Sequence, residues 1–334
     1  MLMVEMTPIA QELTERAAPR PSGGSNILAS VVISNYNYAR FLRDAIDSAL
    51  NQTYPHIEVV VVDDGSTDYS REIIAGYGDH IVPVYKENGG HASAINAGFE
   101  ASRGDVICLL DADDLFLPRK VSRVVRAFAA NPRATLVYHP LQAIDGQLAG
   151  IGRPWPRAVW RGDIRHQVER SGGWWPHPTT SALAFRRSFA GRLLPVPPPN
   201  RTTYPDTYLA GPAAFVGPVV GLRGSLALFR LHGQNMSYWG RQADDDDAER
   251  TREKFRRNRD QYVDEFHRLK RSLERLGISA PSLSLDDHLP YQRYRRALGE
   301  PVSLSRLSIS ALRCPALPAP MRLTEAVRVI LNIR

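Results

Sequence analysis

The sequence predicts an α/β fold, with a mostly parallel central sheet, helices on both of its faces and a helical and irregular appendage at the C-terminal end. Three observations carry this. Between Ile27 and Tyr138, short apolar β-branched runs alternate with stretches of helical periodicity, the pattern of βαβ units. After Tyr138 the texture becomes irregular and rich in Trp, Pro and Gly. From Asp244 onward a charged segment carries an apolar stripe at heptad-like spacing.

The strands of the first part are expected at Leu28–Ile33, Ile57–Val62, Ile81–Tyr85, Val106–Leu110 and Thr135–Tyr138. Between the first two, Phe41, Leu42, Ala45, Ile46, Ala49 and Leu50 recur at helical spacing. Similar stripes run over Ala92–Ala101 and Lys120–Ala130, the second preceded by Pro118 as a helix opener. Further on, Asp145-Gly146 reads as a hairpin turn, and Gly152 to Pro178 as a long loop with a short helix at Ile164–Glu169. Strands are expected at Ser181–Phe185, Val216–Gly221 and Ser225–Leu231, with a helix near Asp206–Ala214. In the appendage, Phe255, Tyr262, Phe266, Leu269, Leu273 and Leu276 share one helical face. Packing of that face on the parent domain is favoured over a dimeric coiled coil, because too few heptads are present. Ser279 to Arg334 is interrupted by Pro and Ser and weakly patterned.

The 334 residues, 43% of them hydrophobic, suffice for a full globular core. The formal net charge of +7 suits an anionic partner, whether a phosphorylated small molecule, a nucleic acid or a membrane surface, and equally suits an inert basic surface. No nucleic-acid-binding motif is found. The two cysteines exclude a disulfide framework: Cys108 lies inside a strand run and Cys314 in a Pro-rich stretch. The first 26 residues lack an apolar h-region and read as a flexible tail, and no run of 18 apolar residues occurs. A cytoplasmic location is expected.

In an open α/β sheet, ligands bind beyond the carboxyl ends of the strands. Those ends are Ser34-Asn35-Tyr36-Asn37, Asp63-Asp64-Gly65-Ser66, Asn88-Gly89-Gly90 and Asp111-Ala112-Asp113-Asp114. Carboxylates gathered on one edge repel one another unless a cation sits between them, and Mg2+ or Mn2+ favours such oxygen ligands together with substrate phosphates. Helix capping needs one aspartate, so three favour a metal site at Asp111–Asp114. Asp63 and Asp64 end a strand and can accept hydrogen bonds from a base and a ribose; Ser66 or Asp68 suits a helix N-cap. Tyr36 offers a flat face for a base.

Together with Val61-Val62, Thr67-Asp68, His91-Ala92-Ser93-Ala94-Ile95-Asn96-Ala97-Gly98 and the later Phe229-Arg230-Leu231-His232-Gly233-Gln234-Asn235-Met236-Ser237, these segments resemble family 2 inverting glycosyltransferases of GT-A fold in order and spacing. The resemblance covers Leu28 to Tyr238. It implies a nucleoside-diphosphate sugar donor, with a UDP-sugar favoured, a divalent cation (Mn2+ or Mg2+) and transfer with inversion to a carbohydrate or lipid-linked acceptor. On it, residues 27–138 form a nucleotide-binding half, 139–240 an acceptor half and 241–334 an appendage. Ser34, Tyr36, Asp63, Asp64, Asn88, Gly89, Gly90, Asp111 and Ala112 would line the donor pocket. Asp113 would bind the metal, with Asp111 facing the ribose or the metal, and with His232 facing the diphosphate, completing the metal shell or acting as a structural histidine. Asp206 stands where the family places its base, although the preceding residue is Pro205 rather than Glu, and an N-cap role competes.

Gly172-Gly173-Trp174-Trp175 is either an acceptor-binding stretch or simple packing. A sugar-nucleotide-forming nucleotidyltransferase needs a Gly-rich loop and a basic residue after the first strand, and Ser34 to Tyr38 has neither. A non-catalytic nucleotide-binding module is the remaining alternative; dinucleotide binding lacks its G-x-G-x-x-G. Residues 241–334 hold 19 basic and 14 acidic side chains. Leu323, Val327, Ile330 and Leu331 there share a helical side near arginines, so packing on the domain competes with peripheral contact with an anionic membrane.

Overall fold

The computed structural model describes residues 27–197, 204–235, 248–313 and 322–324. The expected tail, Met236 to Tyr238, Cys314 and all of the Met321–Arg334 stripe except Leu323 lie outside the described residues. In chain order the elements are β1 (Ala29–Asn35), α1 (Ala39–Leu50), β2 (Ile57–Asp63), α2 (Ser70–Ala75), β3 (Val82–Tyr85), α3 (His91–Ala101), β4 (Val106–Asp111), β5 (Leu115–Phe116) and α4 (Lys120–Ala130). They continue as β6 (Leu136–Tyr138), β7 (Leu141–Ile144), β8 (Gly150–Trp155), β9 (Arg161–Gly162), α5 (Arg165–Arg170), β10 (Leu183–Arg186), α6 (Arg187–Leu193), α7 (Pro205–Val216), β11 (Val219–Gly221) and β12 (Ala227–Arg230). The C-terminal part holds α8 (Ala248–Arg275), α9 (Leu289–Ala297) and α10 (Leu304–Arg313).

An eight-stranded sheet runs β3-β2-β1-β4-β10-β6-β11-β9. Its first four strands are parallel, as the βα repeat predicts, while β10 runs antiparallel to both of its neighbours. Both faces of this sheet are covered, so side chains alternate between two cores rather than between core and water. Val31 and Ile33 of β1 pack with Leu42 and Ile46 of α1 and with Val121, Val124 and Phe128 of α4. Val32 points the other way, into a cluster with Ile95 of α3 and Leu209 of α7. Cys108 is a buried strand residue, as expected, and burial pushes its thiol up to about 11.

Three expectations need correction. The stretch after Gly152 is not all loop: β8 pairs antiparallel with β7 and joins a second sheet of order β5-β12-β7-β8, which folds over the end of β4. Val216 ends a helix instead of starting a strand; Pro205 at the first helical position opens α7, which runs through Pro212 before β11 begins at Val219. The weakly patterned C-terminal part contains α9 and α10, held by buried Leu289, Leu307 and Ala311. The apolar face of α8 does pack inward: Phe266, Leu269, Leu273 and Leu276 join the core of α7, and Phe255 and Tyr262 stack near Tyr294 of α9. Among the described residues, no helix is long and apolar enough to cross a membrane.

Candidate active site

The parallel strands β1, β2 and β4 end side by side, with Ser34 opposite both Val62 and Asp111 and Asn35 opposite Asp63. This register brings the sequence-predicted segments onto one edge. Asn35 Nδ2 donates to Asp63 Oδ1 at 3.1 Å and to Ser66 Oγ at 3.1 Å. Ser66 N and Arg71 Nε donate to Asp63 Oδ2 at 3.1 and 2.9 Å. Burial raises the Asp63 pKa, but the hydrogen bonds from Ser66, Arg71 and Asn35 outweigh it and hold the carboxyl below its usual value. With 0% exposure, Asp63 shapes the turn rather than presenting an oxygen to a ligand. Ser66 belongs to that turn and is not a helix cap; Asp68 instead accepts from Ser70 N and, across the edge, from Ala39 N at the start of α1.

Asp64 faces the next turn. Its Oδ1 accepts from Lys86 Nζ at 2.6 Å and Gly89 N at 3.1 Å, and its Oδ2 from Gly90 N at 2.7 Å. Gly65 adopts φ +79°, and Asn88 N lies only 2.6 Å from where a Cβ would stand, so the two turns touch through backbone. Asn88 and Tyr36 are exposed beside them, Tyr36 to 45%.

The Asp111–Asp114 segment is tied down from behind. Ser181, just before β10, donates its hydroxyl to Asp114 Oδ2 at 2.5 Å and accepts from Asp111 N at 3.1 Å. Lys120 Nζ donates to Ser181 O at 2.6 Å from a fully buried position over the Phe116 ring, and burial brings its ammonium down to about 7. Burial first, then repulsion from Asp113 and Asp111, raises the Asp114 pKa well above the carboxylate norm. Ala112 and Asp114 are 1% exposed, Asp113 is 8% exposed, and Asp111 is half-buried.

Arg230, at the end of β12, donates Nε to Asp113 O at 3.1 Å and its terminal nitrogen to Asp44 at 3.0 Å. It thereby brings the following His232 to Asp113, with Nε2 2.9 Å from Asp113 Oδ2. Gln234 N donates to His232 Nδ1 at 3.3 Å, which makes Nε2 the proton-bearing nitrogen. Asn235 Nδ2 closes the loop on Arg230 O at 2.7 Å.

Two further histidines were not anticipated. His91 opens α3, and its Nε2 pairs with Asp111 Oδ1 at 3.2 Å without the alignment of a hydrogen bond, so this buried nitrogen has a charged neighbour but no hydrogen-bond partner among the described residues. Burial lowers the pKa of His91, and the Asp111, Asp206 and Asp113 charges more than reverse this and raise it. His177, in the loop before β10, faces Asp206; burial lowers its pKa.

Asp206 sits in the first turn of α7 and is not its N-cap, which is Tyr204. Its Oδ1 accepts from Thr207 N at 2.8 Å. Burial raises the Asp206 pKa, with His177 and His91 opposing the rise and Asp111 adding to it, so this carboxyl lies within electrostatic range of the Asp111 edge. Pro205, which departs from the resembled pattern, is the first residue of the helix and fixes where Asp206 projects.

Ser34, Asp111, Asp113 and His232 thus converge on one edge, with Asp206 in electrostatic range of it, and Asp64, Gly89 and Gly90 form an adjoining polar turn. Residues 30–194 match the model of glycosyl transferase family 2. An uncharacterized glycosyltransferase of Nostoc sp. (strain PCC 7120) is 35% identical over 289 residues, 83% of this chain and 87% of that protein. The chain belongs to glycosyl transferase family 2. It is a glycosyltransferase. Chondroitin synthase of Pasteurella multocida is 37% identical over 134 residues, which are 39% of this chain and 14% of that larger protein. Among solved structures, Staphylococcus aureus TarS 1–349 in complex with UDP-GlcNAc superposes with a TM-score of 0.53 at 16% identity, covering 92% of this chain and 91% of that one. That likeness is one of fold, and the fold is GT-A.

The fit of a divalent cation rests on chemistry of this edge. Among the described residues, no three His, Cys, Asp or Glu are grouped to hold a metal by themselves. Asp113 Oδ2 and His232 Nε2, however, lie 2.9 Å apart as a hydrogen-bonded pair, and they would jointly hold an ion with the imidazole proton moved to Nδ1, at the expense of the 3.3 Å contact from Gln234 N. An ion with two protein ligands and the rest from phosphate and water is the usual arrangement for Mg2+.

Proposed function

We propose that this glycosyltransferase moves a sugar, with inversion, from a nucleoside-diphosphate donor to an acceptor hydroxyl, with Mn2+ or Mg2+ held at Asp113 and His232 and Asp111 beside it, reaching the ion through water. The observation that carries the reading is the convergence of the Asp113–His232 pair, the Asp111 edge and the partly buried Asp206. In this reading Asp64, with the Asn88-Gly89-Gly90 turn, meets the base, and Tyr36 covers it, while Asp63 and Ala112 shape the pocket from behind. Ser34 supports Asp111 through its hydroxyl at 3.4 Å. The cation neutralises the charge that develops on the departing diphosphate. His91, whose pKa, despite burial, its acidic neighbours raise, stands at the start of α3 and adds an imidazole and a helix N-terminus on the same side.

Asp206 takes the proton from the acceptor hydroxyl as that oxygen attacks the anomeric carbon from the face opposite the diphosphate. The raised pKa of this carboxyl makes it a stronger base than an exposed aspartate. A uridine nucleotide is the first donor to test, since TarS, of the same fold, was solved with UDP-GlcNAc. The acceptor is a carbohydrate or a lipid-linked carbohydrate.

The test is Asp206→Asn, which keeps the shape and the Thr207 contact. Sugar transfer should fall by roughly a hundredfold or more, while UDP with Mn2+ raises the melting temperature as in the wild type. Retained transfer would remove Asp206 from the base role.

A further inference from the structure

Between α7 and α8 lies a cavity of about 370 Å3, at the small end of the range of about 300–1,000 Å3 typical of ligand pockets. Asp206 and Tyr204 line one side, the Gly172–Thr179 loop a second, and Tyr262 and Glu265 of α8 a third. The matched family domain ends at residue 194, so two of these three walls include residues beyond it.

The cavity is built, not left over. Gly172 and Gly173 have φ +68° and +88°, and a Cβ on them would stand 2.6 Å from Ser284 O and 2.5 Å from Leu269 Cδ2. The tryptophan loop is therefore pressed onto α8 and the segment after it through glycine. Phe266 and Leu273 of α8 share a core with Trp175 and Leu209, which fixes the helix as a wall.

The lining mixes aromatic faces with hydrogen-bonding groups. The Tyr262 ring stacks near His288 at 4.7 Å, and Trp174 lies 6.3 Å from the same imidazole. Trp175 is 2% exposed, and its Nε1–H has no partner among the described residues; the Thr179 hydroxyl, also on the lining, has none either. Both atoms are sealed within the wall and are not offered to a ligand. Gln261 and Glu265, joined at 2.8 Å, add an amide and a carboxyl. Such a mixture suits hydroxyl groups, each of which donates and accepts, on a ring whose C–H face rests on aromatic carbon. An anionic ligand would meet both Asp206 and Glu265, while Arg268 on the same lining is turned to Asp264 at 3.7 Å.

We propose that this cavity is the acceptor subsite, that its ligand is an uncharged sugar ring, and that Tyr262 and Glu265 of the C-terminal helix select it. The proposal rests on Asp206 as the base, since Asp206 lines the cavity. It makes the C-terminal region a specificity element of the reaction and not an appendage to it.

The test uses the full chain and a panel of methyl glycosides of glucose, galactose, mannose and N-acetylglucosamine, with UDP and Mn2+ present. Binding is read by tryptophan fluorescence, because Trp174 and Trp175 line the cavity. At least one neutral glycoside should give saturable binding. Glu265→Gln, which keeps the side-chain shape, and Tyr262→Ala should each weaken it by roughly tenfold or more, while the melting-temperature rise with UDP and Mn2+ persists. Equal glycoside affinity in wild type and both variants would overturn the proposal, as would silence from the whole neutral panel or tighter binding of glucose 6-phosphate. Failure of UDP to bind the wild type would strike the donor reading instead, and the glycoside titration would still decide the cavity.

Discussion

Gly65 is the point where the Asp63–Asp64 turn and the Asn88–Gly90 turn meet, so Gly65→Ala tests whether that contact organises the nucleotide end. Two costs add. An alanine held at φ +79° costs about 1–2 kcal/mol in backbone strain alone. Its Cβ would also lie 2.6 Å from Asn88 N and 3.2 Å from Asn88 Cα, both backbone atoms that cannot swing aside like a side-chain tip. Relief requires the Asn88–Gly90 turn to withdraw from Asp64, which risks a charge-assisted bond from Gly89 N or Gly90 N worth about 1.5–3 kcal/mol. The expected total, about 2.5–5 kcal/mol, is large against a typical stability of about 5–15 kcal/mol. Gly78→Ala is the control: its φ is +50°, and nothing lies within 4 Å of its Cβ, so it carries the strain without the clash. Thermal melts should rank wild type above Gly78→Ala and Gly78→Ala above Gly65→Ala, and titration with UDP and Mn2+ should show a loss of roughly tenfold in Gly65→Ala only. Equal UDP affinity in the two variants would refute the coupling between the turns and the nucleotide.

The first half of the fold was legible because its signals were local and strong. Helix α4 spans Lys120–Ala130, as its stripe predicts, and β1, β2 and β4 follow their β-branched runs to within two residues. What escaped had weak local signals and formed through pairing. Strand β8 contains Gly152 at φ +63° and Pro154 and is mostly exposed, so its own residues argue against a strand, and only the ladder with β7 makes it one. Helix α9 has few apolar positions and α10 leaves Leu304, Ile309 and Leu312 exposed, so their order comes from packing on each other and, for α9, on α8.

The site divides the same way. Asp64, Asp111 and Asp113 stand at strand ends, where order along the chain is enough to nominate them. His91, Ser181 and Glu265 reach the site from distant segments, and neither spacing nor composition marks the first two. Glu265 did carry a signal: it falls three residues after Tyr262 and four before Leu269, on the inward face of α8, where a charged residue needs a reason. Among the many charges of that helix the position did not stand out.

Two more outcomes follow from the same geometry. Asp113→Asn should leave the fold intact and abolish both transfer and the Mn2+-dependent part of UDP binding, as read by titration with and without the ion; near-normal turnover would remove the metal role. Glu265 predicts a pH dependence of stability. Burial raises its pKa from 4.5 to about 7, with Asp206 of α7 and Asp264 adding to the rise and Gln261 and Arg268 opposing it. A carboxyl whose pKa is higher in the folded than in the unfolded chain binds more protons when folded. Its contribution is therefore fully present below about pH 4.5 and is lost as the pH climbs through about 7. Glu265→Gln has no proton to lose there. The melting temperature of the variant should match the wild type near pH 4.5 and rise progressively above it toward pH 7 and beyond, at constant ionic strength. Parallel profiles across that window would mean that Glu265 is as well solvated in the folded chain as in the unfolded one, and the cavity would lose its acidic wall as a source of selectivity.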